Sequence, residues 1–107
     1  MRMYNPPHPG EFIREVYLEP FGISAPVVAD KMKVSPSTLS CLLDGQSDVS
    51  SEMALRLSKT LGRTPESWLA MQNNYNLWHA RQKVSLDEVE RLVIDQAEEL
   101  LSQAGSF

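Results

Sequence analysis

The sequence predicts an all-α fold, five helices in one domain followed by an additional C-terminal helix. Three observations carry this. Ser35-Pro36 and Thr64-Pro65 each set a good N-cap before a proline at the first helical position, where the missing N–H costs nothing. Ser85-Leu86-Asp87-Glu88 has the spacing of a capping box. Between these marks apolar residues recur three and four apart, the period of a helix with one buried face.

The elements follow in order. Tyr4 to Pro9 is proline-rich and expected to be extended. His8 has no second ligand at metal spacing and reads as an ordinary exposed histidine. The first helix should run from Pro9 or Gly10 to about Leu18, with Phe12, Ile13, Val16 and Tyr17 on its inner stripe. The Phe12 and Tyr17 rings are assigned to the core. Pro20 and Gly22 then break the chain. The second helix is capped by Ser24 and ends near Met32, with Val28 and Met32 on one face. Val34 is the buried residue of the turn. The third helix starts at Ser35-Pro36, buries Leu39 and Leu42 or Leu43, and stops at Gly45. After the polar loop Gln46 to Ser50, Ser50 or Ser51 caps a fourth helix, Glu52 to Leu61. Met53, Leu57 and Leu61 lie on one line there, with Ala54 beside it, and Gly62 ends it.

The fifth helix should run from Pro65 to about Arg81, with Trp68, Met71 or Gln72, Tyr75 and Trp78 as its stripe. Trp68 is assigned to the core. Trp78 lies beyond what five small helices can cover, so Tyr75, Leu77 and Trp78 are expected at a subunit interface. A polar connection, Arg81 to Val84, leads to the helix from Ser85 to about Ala104. Leu86, Val89, Leu92 or Val93, Gln96 or Ala97, and Leu100 would line one face, and the other is acidic. That helix is either a solvated one packed on its own domain or a dimerisation or partner-binding arm. Residues 8–82 thus form one unit and residues 83–107 an acidic extension.

Composition bounds the function. The chain has 107 residues, 42% of them apolar, as in an ordinary globular domain. Its one cysteine, Cys41, can form no intrachain disulfide. No signal peptide and no membrane-spanning run is visible, which fits a cytoplasmic protein. The net charge is −4, unevenly spread. Residues 85–107 carry six acidic residues against Arg91 alone, and residues 1–84 carry nine Lys/Arg against eight Asp/Glu. The body is therefore near neutral and can still present a basic face.

Enzymatic motifs are missing. The chain has no phosphate-binding glycine loop, no HExxH and no paired Cys or His at metal spacing. Cys41 and His79 have no third orienting group, and Cys41 reads as an unreactive thiol. No catalysis, cofactor or metal is expected.

The second and third helices carry the functional signal. Two short helices, a tight turn with an apolar residue, the small Ala29 at the crossing and the Ser35-Pro36 cap make a helix-turn-helix pattern. An α-helix fits the major groove of B-DNA, and the second helix of such a pair presents its N-terminal residues to base edges. Ser24, at the N-terminus of the second helix, would point amides at phosphate. Gln46 could reach a phosphate or an adenine edge, and Lys31 and Lys33 are candidates for phosphate contacts. The plainer alternative is that the serines are caps and the lysines solvated. For Ser35 both roles are compatible.

The motif resembles the helix-turn-helix of the Cro and lambda-repressor-like fold. A longer series resembles the HigA/VapI family of antitoxins: Pro9-Gly10-Glu11-Phe12-Ile13, Leu18 to Ser24, Val34-Ser35-Pro36-Ser37, Met53 to Ser58, and Trp68-Leu69-Ala70-Met71-Gln72. The resemblance covers roughly residues 8 to 80. It implies that Ser35, Ser37, Thr38 and Ser40 lie where the recognition helix meets bases and phosphates. It further implies an antitoxin of a type II pair, which neutralises a HigB-like mRNA endonuclease toxin. Such a protein represses its own operon as a homodimer on a palindromic double-stranded DNA operator. Three departures stand out. The turn residue before Val34 is Lys33 where members commonly carry Gly. Ala25-Pro26 stands where many carry Gln. Pro36 to Cys41 holds no Lys or Arg. The alternatives are a stand-alone repressor without a toxin, or a protein-interaction module that has lost DNA binding.

Overall fold

Each α-helix among the described residues starts after a residue that can cap it: His8, Ser24, Ser35, Ser50 or Thr64. The computed structural model describes residues 5 to 93, and all regular structure among them is helical. Helix α1 spans Pro9–Ile13 and runs on as a π-helical turn, Arg14–Leu18. Then come α2 (Ala25–Met32), α3 (Pro36–Leu43), α4 (Ser51–Leu61) and α5 (Pro65–Lys83). Ser35, Ser50 and Thr64 accept from the amides of Thr38, Met53 and Ser67, 3.0–3.1 Å away. Such a cap contributes about 1 kcal/mol. Ser24 holds the N-cap position of α2 with extended backbone, but its side chain makes no capping bond.

The core joins all five helices. Ile13, Leu39, Leu42, Ala54, Leu57 and Trp68 are fully buried, with Val28, Ala29 and Met32 nearly so. Each large side chain removed from water contributes about 1.5–3 kcal/mol. Helix α2 packs on α3 and α4, α4 on α5, and α1 on α3 and α5. Trp68 satisfies its indole N–H at the Gly62 carbonyl, 2.9 Å away. Phe12 and Tyr17 stack around it at 6.0 and 6.2 Å between ring centres. Both Leu42 and Leu43 are buried, which settles the choice the periodicity left open.

Several expectations are corrected. Val16 is exposed, because the π-helical turn adds a residue and rotates the stripe; Leu18 is buried instead. Its mark is the Glu19 amide bonding to the Arg14 carbonyl, five residues back. Val34 is half-buried, packed on the core from one side and open to solvent on the other. His8 is buried at 5% exposure. It caps α1, its Nδ1 accepting from the Gly10 amide at 2.9 Å, and its ring meets Tyr75 edge-on.

No helix begins at Ser85. Residues 84–93 are exposed and non-helical, with a turn at Asp87-Glu88. The Ser85 hydroxyl receives only a long 3.5 Å bond from the Asp87 amide. A capping box marks a start, but a short helix also needs a face to bury. Leu86, Val89, Leu92 and Val93 have none, each at least 65% exposed. The rest of the expected helix, through Ala104, lies outside the described residues.

Candidate nucleic-acid interface

The α2–α3 junction is held in one conformation by backbone geometry and by a side chain from outside it. Lys33 adopts φ 60° and ψ 43°, the left-handed region. That lets the Val34 amide reach the Ala29 carbonyl at 3.1 Å and the Lys33 amide reach Asp30 at 3.2 Å. This is a Schellman closure, usually made by glycine. Lysine in that conformation costs about 1 kcal/mol. Arg56 of α4 offsets it. Its Nη1 donates to the Met32 carbonyl at 2.7 Å and to the Lys33 carbonyl at 3.3 Å. Glu52 holds the same guanidinium at 3.0–3.1 Å. The chain from Asp30 to Val34 is therefore fixed relative to α4.

Helix α3 leaves the turn with its apolar face inward and its polar face outward. Leu39, Leu42 and Leu43 are buried, while Pro36, Ser37, Thr38, Ser40 and Cys41 are exposed. Ser35 Oγ accepts from the Thr38 amide at 3.1 Å and lies 2.7 Å from the Thr38 hydroxyl and 3.2 Å from that of Ser37. Three hydroxyls are thus gathered at the N-terminus of α3, where unpaired amides favour an anion. Ser24, Lys31, Lys33 and Gln46 are exposed as well. All eight sequence-selected residues are solvent-facing; the structure groups Ser35, Ser37 and Thr38 by direct contact. Cys41 is exposed on α3 beside Ser40.

The far end of α3 is anchored with equal care. Gly45, at φ 78°, lets its amide reach Leu42 at 3.1 Å and that of Gln46 reach Cys41 at 2.8 Å, a second Schellman closure. The following loop is tied to α5 by a relay. The Val49 amide donates to Gln72 Oε1 at 2.9 Å, Gln72 Nε2 to Asn76 at 3.1 Å, and Asn76 Nδ2 to Asp48 at 3.2 Å. Gln72 is buried and every one of these groups is paired, so the loop carrying Gln46 is fixed in place. A surface ion pair, Arg14 to Asp44 at 3.0 Å, adds little at this exposure.

Sequence reasoning missed Arg56 and the Gln72–Asn76–Asp48 relay. The Glu52/Arg56 spacing of four signalled a pair along one helix, but nothing in the sequence tied it to the turn. Of the interface residues expected on α5, Leu77 is exposed and Tyr75 and Trp78 are half-buried. Tyr75 packs between His8 and His79, with ring centres 4.9 and 4.3 Å away, so part of its face serves the fold. Among the described residues no cluster of three or more His, Cys, Asp or Glu is placed to hold a metal. None of the described helices is long and apolar enough to cross a membrane.

Comparison with known proteins agrees with this geometry. Residues 13–69 match the helix-turn-helix family model. The chain is 39% identical over 93 residues to the HTH-type transcriptional regulator YddM of Escherichia coli K12, covering 87% of this chain and 98% of that one. It is 36% identical over 74 residues to the antitoxin HigA-1 of Vibrio cholerae, covering 69% and 70% of the two chains. Its structure matches that of the antitoxin GraA in complex with its operator, with a TM-score of 0.75 and 39% identity over 88% of this chain and 98% of that one. The chain therefore belongs to the helix-turn-helix family of transcriptional regulators, in the branch of the HigA-type antitoxins, a family of regulators and not of enzymes.

Proposed function

We propose that this protein is the antitoxin of a type II toxin–antitoxin pair, binding a HigB-like mRNA endonuclease toxin and repressing its own operon. The observation that carries the DNA-binding half is the outward polar N-terminus of α3, set on a turn fixed by Arg56. A relative of 39% identity occupies an operator in its solved structure, which supports the same use here. In this reading Ser37, Thr38 and Ser40 meet base edges and nearby phosphates. Ser24, Lys31 and Lys33 grip the backbone, Gln46 meets a phosphate or an adenine edge, and Ser35 both caps α3 and contacts DNA. One α3 reads one half-site, so a palindromic operator calls for a homodimer. Tyr75, Leu77 and Trp78 of α5 are the residues we assign to that contact, with residues 8–82 as the DNA-binding unit and 83–107 as an acidic extension.

The absence of Lys or Arg from Pro36 to Cys41 favours a second reading, a protein-interaction module without DNA binding. Fluorescence anisotropy on the protein's own upstream DNA, against scrambled DNA, at several salt concentrations separates the two. Preferential binding with a shallow salt slope is expected, because few phosphates are neutralised. Equal or absent binding on the two DNAs would remove the repressor half of the proposal.

A further inference from the structure

The loop after α3 hangs from α5 by a chain of hydrogen bonds that can run in only one sense. At one end stands the Val49 amide, which only donates; at the other stands the Asp48 carboxylate, which only accepts. Between them the Val49 amide donates to Gln72 Oε1 at 2.9 Å, Gln72 Nε2 to Asn76 Oδ1 at 3.1 Å, and Asn76 Nδ2 to Asp48 Oδ2 at 3.2 Å. Turning either amide over sets a donor against a donor. The orientation of both side chains is therefore dictated by the two ends.

Gln72 is 4% exposed, one helical turn after the fully buried Trp68. An apolar side chain would fill that site without asking for partners, whereas a buried amide costs stability unless its polar atoms are paired. What the amide adds is direction. Val49 is buried and so holds the end of the loop, but apolar burial is non-directional. Gln46, Ser47 and Asp48 thus lie between two directed bonds, that of the Gln46 amide to the Cys41 carbonyl at 2.8 Å and that of the Val49 amide to Gln72. Gln46 is exposed at the start of this span.

We propose that Gln72, Asn76 and Asp48 are positioning residues for the operator contact of Gln46, acting through the loop and not by touching DNA. The assignment rests on the DNA-binding reading. A side chain that meets a base edge or a phosphate has to be held to within about 0.5 Å by the groups around it. Helix α3 supplies that support at the start of the loop, and the relay from α5 supplies it at the end. Asn76 is central, because its amide both fixes the orientation of Gln72 and ties the Asp48 carboxylate back to α5.

Replacing the buried Gln72 would mix a folding loss with a binding loss, so the relay is tested at its exposed end, Asn76 and Asp48. The probe is the protein's own upstream DNA, against scrambled DNA, and circular dichroism at the assay temperature checks that each variant is folded. Asn76→Ala breaks two of the three bonds and is expected to weaken binding about fivefold or more, the cost of one lost contact. Gln46→Ala should give the same loss, and Asn76→Ala added to Gln46→Ala should cost nothing further. Asn76→Asp alone sets two carboxylates together and should weaken binding. The swap Asn76→Asp/Asp48→Asn keeps the net charge, faces a donor to an acceptor again, and should recover the affinity. If the wild type binds its own DNA no better than scrambled DNA, the DNA-binding reading falls and the proposal with it. If the wild type shows the preference and Asn76→Ala binds as tightly, the relay positions nothing and the reading stands. If Asn76→Ala costs as much with Gln46 replaced as with it present, or the swap recovers no affinity, the relay serves the fold and not Gln46, and the proposal is overturned.

Discussion

Arg56 on α4 closes the end of α2: its guanidinium donates to the Met32 carbonyl at 2.7 Å, four helical residues after Glu52 has fixed its direction. The bond is charge-assisted and its acceptor lies where α2 runs out of its own amides. Arg56→Ala leaves the Met32 and Lys33 carbonyls unpaired at a turn that already holds lysine in a left-handed conformation. A loss of about 1–3 kcal/mol is expected. Since 1 kcal/mol shifts the melting temperature of a domain this size by roughly 4–8 °C, thermal unfolding resolves it. Lys33→Gly in the Arg56→Ala background should recover part of the loss, by removing the strain that Arg56 offsets. An unchanged melting temperature in the single variant would take Arg56 out of this role.

Gly10 lies against the backbone of α3. A Cβ at this position would overlap the Leu42 carbonyl and stand 2.8 Å from Leu43 Cα, both backbone atoms that cannot swing aside. Gly10→Ala should therefore cost about 1–3 kcal/mol, the range for overpacking a fixed site. Gly22 offers the contrast: its φ is +63°, but nothing lies within 4 Å of a Cβ there. Gly22→Ala carries only the conformational cost, about 1 kcal/mol. Urea unfolding should lower the midpoint more for Gly10→Ala than for Gly22→Ala, with similar slopes. The reverse order would mean that α1 can shift away from α3.

Local signals in the sequence located the helices, and long-range contacts escaped it. Ser35, Ser50 and Thr64 announce helix starts because a cap involves residues only three apart. The exposure of Ser37, Thr38 and Ser40 was legible because α3 spaces Leu39, Leu42 and Leu43 on one helical face and leaves the polar residues on the other. His8 was read as exposed because its burial depends on Tyr75 of α5, far along the chain. Val16 was misplaced because one π-helical turn shifts a stripe with no residue type to announce it. Arg56 was missed for the reason that hid His8, since Met32 lies 24 residues away from it. The start at Ser85 failed in the opposite sense: a clear local signal had no surface to pack on.

His8 gives the fold a pH dependence. Burial pushes its pKa below the usual 6.5, and the charge of Asp48, the Ser47 backbone and Glu11 oppose this more weakly. Protonation would also remove the Nδ1 lone pair that accepts from the Gly10 amide. Because the folded pKa is the lower one, the unfolded chain binds more protons. The contribution is complete above about pH 6.5 and is lost as pH falls from there toward the folded pKa. His8→Asn keeps a capping oxygen without a titrating group. Urea melts at pH 8, 7, 6 and 5 should show wild-type stability falling more steeply below pH 7 than that of His8→Asn. Parallel curves would assign the acid sensitivity to other groups.

Thr38 tests the proposed base readout with the least disturbance to the fold. Its amide, not its hydroxyl, receives the Ser35 cap, so a substitution here leaves α3 capped. Its hydroxyl lies 2.7 Å from Ser35 Oγ and is exposed, free to exchange that bond for a base edge or phosphate. Its methyl can meet a thymine methyl in the major groove. Thr38→Ala removes both groups and should weaken operator binding by about 1–3 kcal/mol, relaxing the preference at one base pair. Thr38→Val keeps the methyl and loses only the hydroxyl. If the contact is apolar, Thr38→Val retains both affinity and preference; if it is a hydrogen bond, Thr38→Val behaves like Thr38→Ala. Binding of both variants to a panel of operator sequences, each changed at one position, distinguishes the two. A uniform loss across the panel would instead make Thr38 a phosphate contact, because a phosphate is the same at every base pair.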